Sequence, residues 1–146
     1  MQQAELKQTI INFLNKHKKG VFAILDEDGE PTTSLMLYVI DDDLNVFFGS
    51  KRSFGKYDNI LRHPVVGLSV PEEDVNPMKI VDIRGDVELL SSEDQENVYH
   101  FFKSKNTADW YVEGADDFVM FKLVPHFVRW IDAESGELDR VDLHIA

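Results

Sequence analysis

Three apolar runs, residues 21–25, 32–40 and 46–48, follow one another with only DEDGEP and DDDLN between them. A crossover to a parallel neighbour needs about a dozen residues or more, so connections this short confine the start of the chain to antiparallel pairing. Within the first connection, Asp28-Gly29 is a strong hairpin signal, because glycine takes up the positive φ that a tight turn demands. The three runs therefore predict an antiparallel meander.

The remaining segments fit around it. Leu6, Ile10, Phe13 and Leu14 recur at helical spacing, and Gly20 stands where such a helix would stop. Residues 53–62 read as a short helix ended by His63-Pro64, since proline disfavours helical backbone at the residue before it. VVGLSV (65–70) is strand-like, and PEEDVNPM (71–78) is a loop. In KIVDIRGDVELL (79–90), Val81, Ile83, Val87 and Leu89 alternate across Gly85. That pattern predicts one long half-buried strand, with the glycine at a bend or close approach. Ser92 with Gln95 forms a capping box opening a helix that carries Val98, Phe101 and Phe102 on one face. FVMFKLV and HFVRWID, split by Pro125, supply one or two final strands. The expected fold is mainly β with three short helices: six or seven mostly antiparallel strands in one domain, residues 1–146. A closed or partly closed barrel would hide their edges.

Charge narrows the function classes. Asp and Glu number 27 against 15 Lys and Arg, a formal net charge of -12. Such a surface repels nucleic acid and anionic membranes. The 146 residues contain no cysteine, which excludes disulfides, thiolate metal sites and a cysteine nucleophile, and fits a reducing compartment. The stretch MQQAELKQTIINFLNKHKK lacks the apolar core of a secretory signal, and no run is long enough to cross a bilayer. The expected location is the cytoplasm. His17, His63, His100, His126 and His144 show neither an i,i+4 pair nor HExxH spacing, so no metal site is expected. Asp26, Glu27, Asp28 and Asp41 to Asp43 fall in turns, where aspartate caps and solubilises.

Against this acidic background, VFFGSKRSFGKYDNILRHP (46–64) is an island. Lys51, Arg52, Lys56 and Arg62 are answered only by Asp58. A solvated basic turn is one reading. The other is a cradle for a small anion, in which a lysine on the first turn of a helix, a hydroxyl at a strand end and free backbone N–H groups converge.

The same stretch resembles the flavin-binding split barrels, the pyridoxamine 5'-phosphate oxidase-like family that includes small general stress proteins. Ser50, Lys56, Asn59, Ile60, Pro64 and Val66 stand in the family's register, and VDIRGDVELL and FKLVPHFVRWID are similar to two further family strands. The resemblance spans roughly residues 10–132. It implies a homodimeric split β-barrel that binds flavin mononucleotide (FMN) at the subunit interface; if the protein is an FMN-dependent oxidoreductase, a reduced nicotinamide or another two-electron donor would deliver hydride to the flavin. It also implies the cofactor-binding residues. Lys56 and Ser50 would meet the phosphate, joined by Arg52, Ser53 and Gly49, while Ser34, Met36 and Leu37 would run along the flavin ring.

The chain departs from the family pattern in three places. Ser34 stands where relatives carry an arginine, Phe54-Gly55 replaces a Ser-Arg pair, and GELDRVDLHIA replaces a C-terminal Arg-Leu-x-Pro motif. Vitamin B6 oxidation is therefore not expected, and the cradle holds fewer charges. The alternatives are a non-catalytic flavin module in stress, a deazaflavin- or haem-using relative with His126 as the haem ligand, and a ligand-free dimer. Trp110, Tyr111 and Trp130 would either stack on the ring or serve as core and interface anchors. Arg129 is expected to be an exposed strand charge.

Overall fold

Two aspartates build the first two turns. Asp26 Oδ1 accepts the N–H groups of Asp28 and Glu30, each at 2.9 Å, and Gly29 takes φ +76°. Asp41 Oδ1 does the same for Asp43 at 3.0 Å and Asn45 at 2.9 Å. These side chains satisfy backbone donors that a tight turn leaves unpaired, the role expected of aspartate here. The first turn joins β1 (Lys19–Leu25) to β2 (Pro31–Leu37), and the second joins β3 (Val39–Ile40) to β4 (Val46–Lys51).

The computed structural model describes residues 1–106 and 117–145. Among them the strands continue as β5 (Val65–Pro71), β6 (Lys79–Leu89), β7 (Phe118–Asp132) and β8 (Asp139–Leu143). All eight belong to one antiparallel sheet of order β2-β1-β5-β6-β7-β4-β3, with β8 also paired to β7. The expected count of six or seven strands is thus exceeded. The run expected as one strand over 32–40 divides into β2 and β3, and β8 is added, whose DRVDL sequence carries too little apolar alternation to announce a strand.

β7 is a single strand running through Pro125. The β6–β7 ladder shifts register between Arg84 and Gly85, so Gly85 faces Pro125 while Arg84 faces Phe127. A proline, which has no N–H to donate, is tolerated at such an irregularity. Gly85 is the close approach expected of it: a Cβ there would collide with the backbone of Val124 and lie 2.8 Å from Pro125 Cα.

The run from Pro31 to Ile40 serves both ends of the sheet. β2 pairs with β1, and beyond Tyr38 β3 pairs with β4 at Val39↔Phe47 and Ile40↔Val46. The sheet is thereby curled and its ends are tied together by the chain itself. No ladder joins β2 to β4 among the described residues, which leaves a seam.

The inward residues Phe22, Phe48 and Phe121 form a chain of aromatic contacts, with centroids 4.6 and 5.5 Å apart. Burying a side chain of this size contributes about 1.5–3 kcal/mol. Helix α1 (Gln3–Lys16) packs Leu6, Ile10 and Leu14 into the same core. It ends at Lys16, and Gly20 lies within β1 rather than stopping the helix. Helix α2 (Gly55–Arg62) follows β4 and buries Ile60. Helix α3 (Ser92–Lys105) covers the outer face of β4 with Tyr99 and Phe102, over Phe47 and Met120. β4 is therefore buried on both sides over most of its length, and its first three residues, Val46, Phe47 and Phe48, are an unbroken apolar run. The N-cap of α3 is Ser91, whose Oγ accepts from Asp94 N at 3.3 Å, one residue before the capping box predicted at Ser92. Gln95 instead binds the β7 backbone, giving Nε2–H to Met120 O at 2.8 Å and accepting Met120 N–H at 2.7 Å. Its amide continues the ladder where β6 has ended.

Candidate functional site

The seam between β2 and β4 opens into a pocket of about 170 Å³ lined by Leu35 and Met36 on one side and Gly49, Ser50, Lys51, Phe54, Lys56 and Phe118 on the other. Alternation along β4 explains the lining. Ser50 faces inward and is buried, while Gly49 and Lys51 face outward. A Cβ on Gly49 would run into the Phe118 ring and stand 2.9 Å from Met120 Sδ. The missing side chain lets Phe118 form the pocket wall.

Lys56 is the central cation. It lies on the first turn of α2, half-buried, and burial alone lowers its pKa from the usual lysine value. No carboxylate forms an ion pair with it among the described residues. Its Nζ sits 5.4 Å from the centroid of the Phe54 ring, and Lys51 Nζ sits 5.7 Å from the same ring. The ring gathers both ammonium groups through its quadrupole. Phe54 is also the N-cap of α2 and offers no side-chain cap; Tyr57 N–H donates to its carbonyl at 3.0 Å, and the N–H groups of Gly55 and Lys56 remain available beside the lysines among the described residues. Among the described residues the Ser50 hydroxyl meets only the carbonyl of its neighbour Lys51, at 3.2 Å. Two cations, unpaired N–H donors and a hydroxyl beside apolar walls suit the phosphate end of an amphipathic ligand.

Of the residues expected to hold a cofactor, the structure brings Met36, Gly49, Ser50 and Lys56 around this pocket. Ser34 faces inward opposite Phe22 and is not part of the lining, and Leu37 lines a neighbouring hollow. Arg52 is exposed outside the lining. Ser53 is engaged elsewhere: its N–H reaches Asp117 Oδ1 at 3.1 Å and its hydroxyl donates to Asp117 Oδ2 at 2.6 Å. Leu35, Lys51, Phe54 and Phe118 were not anticipated as site residues. Strand parity points to Lys51 once Ser50 is placed inward. Phe118 owes its position to the pairing Lys51↔Phe118, which local sequence does not encode.

The other candidates lie apart. Trp130 is core, edge-on to Phe13 at 5.2 Å. Arg129 is bound by Asp142 at 2.6 and 3.2 Å, an exposed strand pair. His126 is exposed at the register shift, 3.8 Å from Asp86 Oδ2. Trp110 and Tyr111 lie outside the described residues.

Outside the seam, a hollow of about 730 Å³ extends over β1, β2 and the end of β5. A shallower one of about 470 Å³ crosses β1, β5, β6 and β7. Leu35 borders both the seam pocket and the larger hollow, and Val21 borders both hollows. The three hollows thus adjoin at Leu35 and Val21, making this part of the sheet surface concave.

The family model for pyridoxamine 5'-phosphate oxidase matches residues 6–131. No curated protein matches the chain in sequence. Among solved structures, the general stress protein 26 of Bacillus anthracis is similar at TM-score 0.72 and 15% identity, over 97% of this chain and 99% of that one. A conserved hypothetical protein of Mycobacterium tuberculosis is similar at 0.76 and 22%, over 100% of this chain and 91% of that one. A heme binding protein of Mycobacterium smegmatis is similar at 0.77 and 19%; the match takes in 97% of this chain but only 58% of that one. At such identities these likenesses establish the fold.

Proposed function

The chain belongs to the pyridoxamine 5'-phosphate oxidase family, and on that premise we propose that it binds FMN at the β2–β4 seam and works as a cytoplasmic flavoprotein. The observation that carries this reading is Lys56, a half-buried cation with no carboxylate partner among the described residues, on the first turn of a helix without a side-chain cap and lining the pocket. Lys56, Lys51 and the α2 N–H groups would hold the phosphate, with Ser50 as a hydroxyl partner. Leu35, Met36 and Phe118 give apolar surface for the ring. The bound flavin would supply two-electron transfer between a reduced nicotinamide and a second substrate. The chain's own part is to bind, orient and exclude water. The ionisable groups lining the pocket are Lys51 and Lys56, and neither is needed as a general acid.

A pocket of about 170 Å³ falls below the roughly 300–1,000 Å³ typical of ligand sites. It fits one end of a flavin, and a second copy of the chain against the outward concavity would cover the rest. The protein is accordingly proposed to act as a homodimer.

A second reading is a flavin-holding module without turnover, favoured by Ser53, whose donors are occupied by Asp117 rather than free for a phosphate. Deazaflavin carries the same phosphate and would use the same residues. Haem draws no support from the pocket, whose described lining holds no histidine.

The test is an absorbance scan of the purified protein at visible and near-ultraviolet wavelengths, before and after incubation with excess FMN and desalting. Flavin bands that survive desalting are expected. A protein that retains no flavin contradicts the reading, and a Soret band would replace it with haem.

A further inference from the structure

We infer that Asp117 is the positioning residue of the phosphate cradle, an inference that rests on the flavin reading above. The loop between β4 and α2 carries Lys51 and Phe54 and leads directly into Lys56. It is fastened to the start of β7 by three bonds to one residue. Arg52 N–H donates to the Asp117 carbonyl at 2.6 Å, Ser53 N–H donates to Oδ1 at 3.1 Å, and Ser53 Oγ–H donates to Oδ2 at 2.6 Å. Both oxygens of one carboxylate are used on one residue, and the backbone bond beside them continues the β4–β7 ladder past Lys51↔Phe118.

A carboxylate this close to a phosphate site could instead compete with the ligand for the same donors. Two observations decide against competition. Neither Ser53 nor Asp117 lines the pocket. Lys56 forms no ion pair with Asp117 among the described residues, and burial is what lowers its pKa. Asp117 therefore acts behind the cradle. It turns Arg52 and Ser53 away from the pocket and fixes the turn closed by Phe54 N–H to Lys51 O at 3.1 Å. That turn brings both Lys51 and Lys56 to the Phe54 ring, their Nζ atoms 5.7 and 5.4 Å from its centroid. Asp117 is also the residue before Phe118, so one anchor places both the cationic side of the pocket and its aromatic wall. Holding the lysines in place before the ligand arrives lowers the ordering cost of binding.

The test compares FMN with riboflavin, which lacks the phosphate, on the parent, Asp117→Ala, Asp117→Asn and Ser53→Ala by flavin fluorescence titration. Asp117→Ala is expected to bind FMN about tenfold more weakly while its riboflavin affinity stays within about twofold. Asp117→Asn, whose amide can still accept the Ser53 N–H, is expected to recover most of the loss. Ser53→Ala is expected to fall between them. Asp117→Ala binding FMN as tightly as the parent, or more tightly, overturns the inference, and a gain would mark the carboxylate as a competitor. Backbone amide exchange separates this outcome from failure of the flavin reading. If the parent binds neither flavin, that reading falls. The fastening itself still predicts that the Ser53 amide, held by the carboxylate, is protected in the parent and exposed in Asp117→Ala, while the Arg52 amide, held by the main-chain carbonyl, stays protected in both; equal exchange of the Ser53 amide in the two proteins overturns it.

Discussion

Gly85 shows how one absent side chain sets the path of two strands. Its hydrogen faces the Val124–Pro125 backbone, the point at which the β6–β7 register shifts and a proline enters a strand. Neighbouring side chains can rotate away from an added methyl, but backbone cannot. Gly85→Ala is expected to destabilise the fold by about 1–3 kcal/mol, the range of forced overpacking, read as a lower urea midpoint at unchanged slope. An unchanged midpoint would mean that the strands separate freely there. Lys105 is a second residue whose surroundings work against its ordinary state. Its Nζ donates to Leu14 O at 3.2 Å and lies 4.7 Å from the Tyr38 ring centroid. Burial, aided by the charge of Lys18, pushes its pKa down to about 8. The folded protein thus binds this proton less tightly than the unfolded chain does. Below pH 8 the cost of burying the charge is fully present, and stability rises with pH from about 8 towards the ordinary lysine value of 10.5. Lys105→Met is expected to stabilise the protein at pH 7 by on the order of 2 kcal/mol, after allowance for solvent screening, with the advantage fading by pH 10.5. An advantage that did not change with pH would show that the ammonium charge is not its source.

At the scale of elements, what the sequence disclosed depended on distance along the chain. The hairpins at Asp26 and Asp41 were legible because turn chemistry is local: one aspartate, a glycine or asparagine, and an apolar run on either side. The helix after β4 and its end at His63-Pro64 were legible for the same reason, and so were Ser50, Gly49 and Lys56, separated by a strand end and one turn. β8 was not legible, because it is held as an edge strand by pairing with β7 and shows one buried residue, Leu143. Neither was the continuity of β7, since the register shift that tolerates Pro125 depends on Gly85, far away in sequence. In the site, Phe118 and Asp117 belong to this second kind. The Ser53–Asp117 contact spans 64 residues, and no local pattern in either segment announces it. The placement of Ser53 follows: a hydroxyl beside a lysine reads as a ligand contact until its distant carboxylate is seen.

For the whole molecule, the outward face of the sheet is the feature left without an internal purpose. Leu35 is 64% exposed and Val21 is 40% exposed, yet they sit opposite one another in the β1–β2 ladder at the centre of the concavity. Large apolar side chains grouped on a concave face mark an interaction surface more often than chance exposure does. In the proposed homodimer this face meets its counterpart and closes the seam pocket. Leu35→Glu would place a charge at that contact in a chain that already carries a net charge of -12. It is expected to shift sedimentation equilibrium from dimer towards monomer and to weaken FMN retention in parallel. Unchanged mass with unchanged retention would remove this face from the proposed interface.

The net charge also sharpens the meaning of the basic island. A surface this acidic repels anions at long range, so an anion can be held only by contacts at close quarters, where Lys56 dominates. The most direct measurement is therefore a fluorescence titration of FMN into the parent protein and into Lys56→Ala under identical buffer and salt. Loss of a charge-assisted contact worth about 1.5–3 kcal/mol predicts at least a tenfold weaker dissociation constant for the variant. Equal affinities for the two proteins would contradict the cradle, and with it the assignment of the seam as the flavin site.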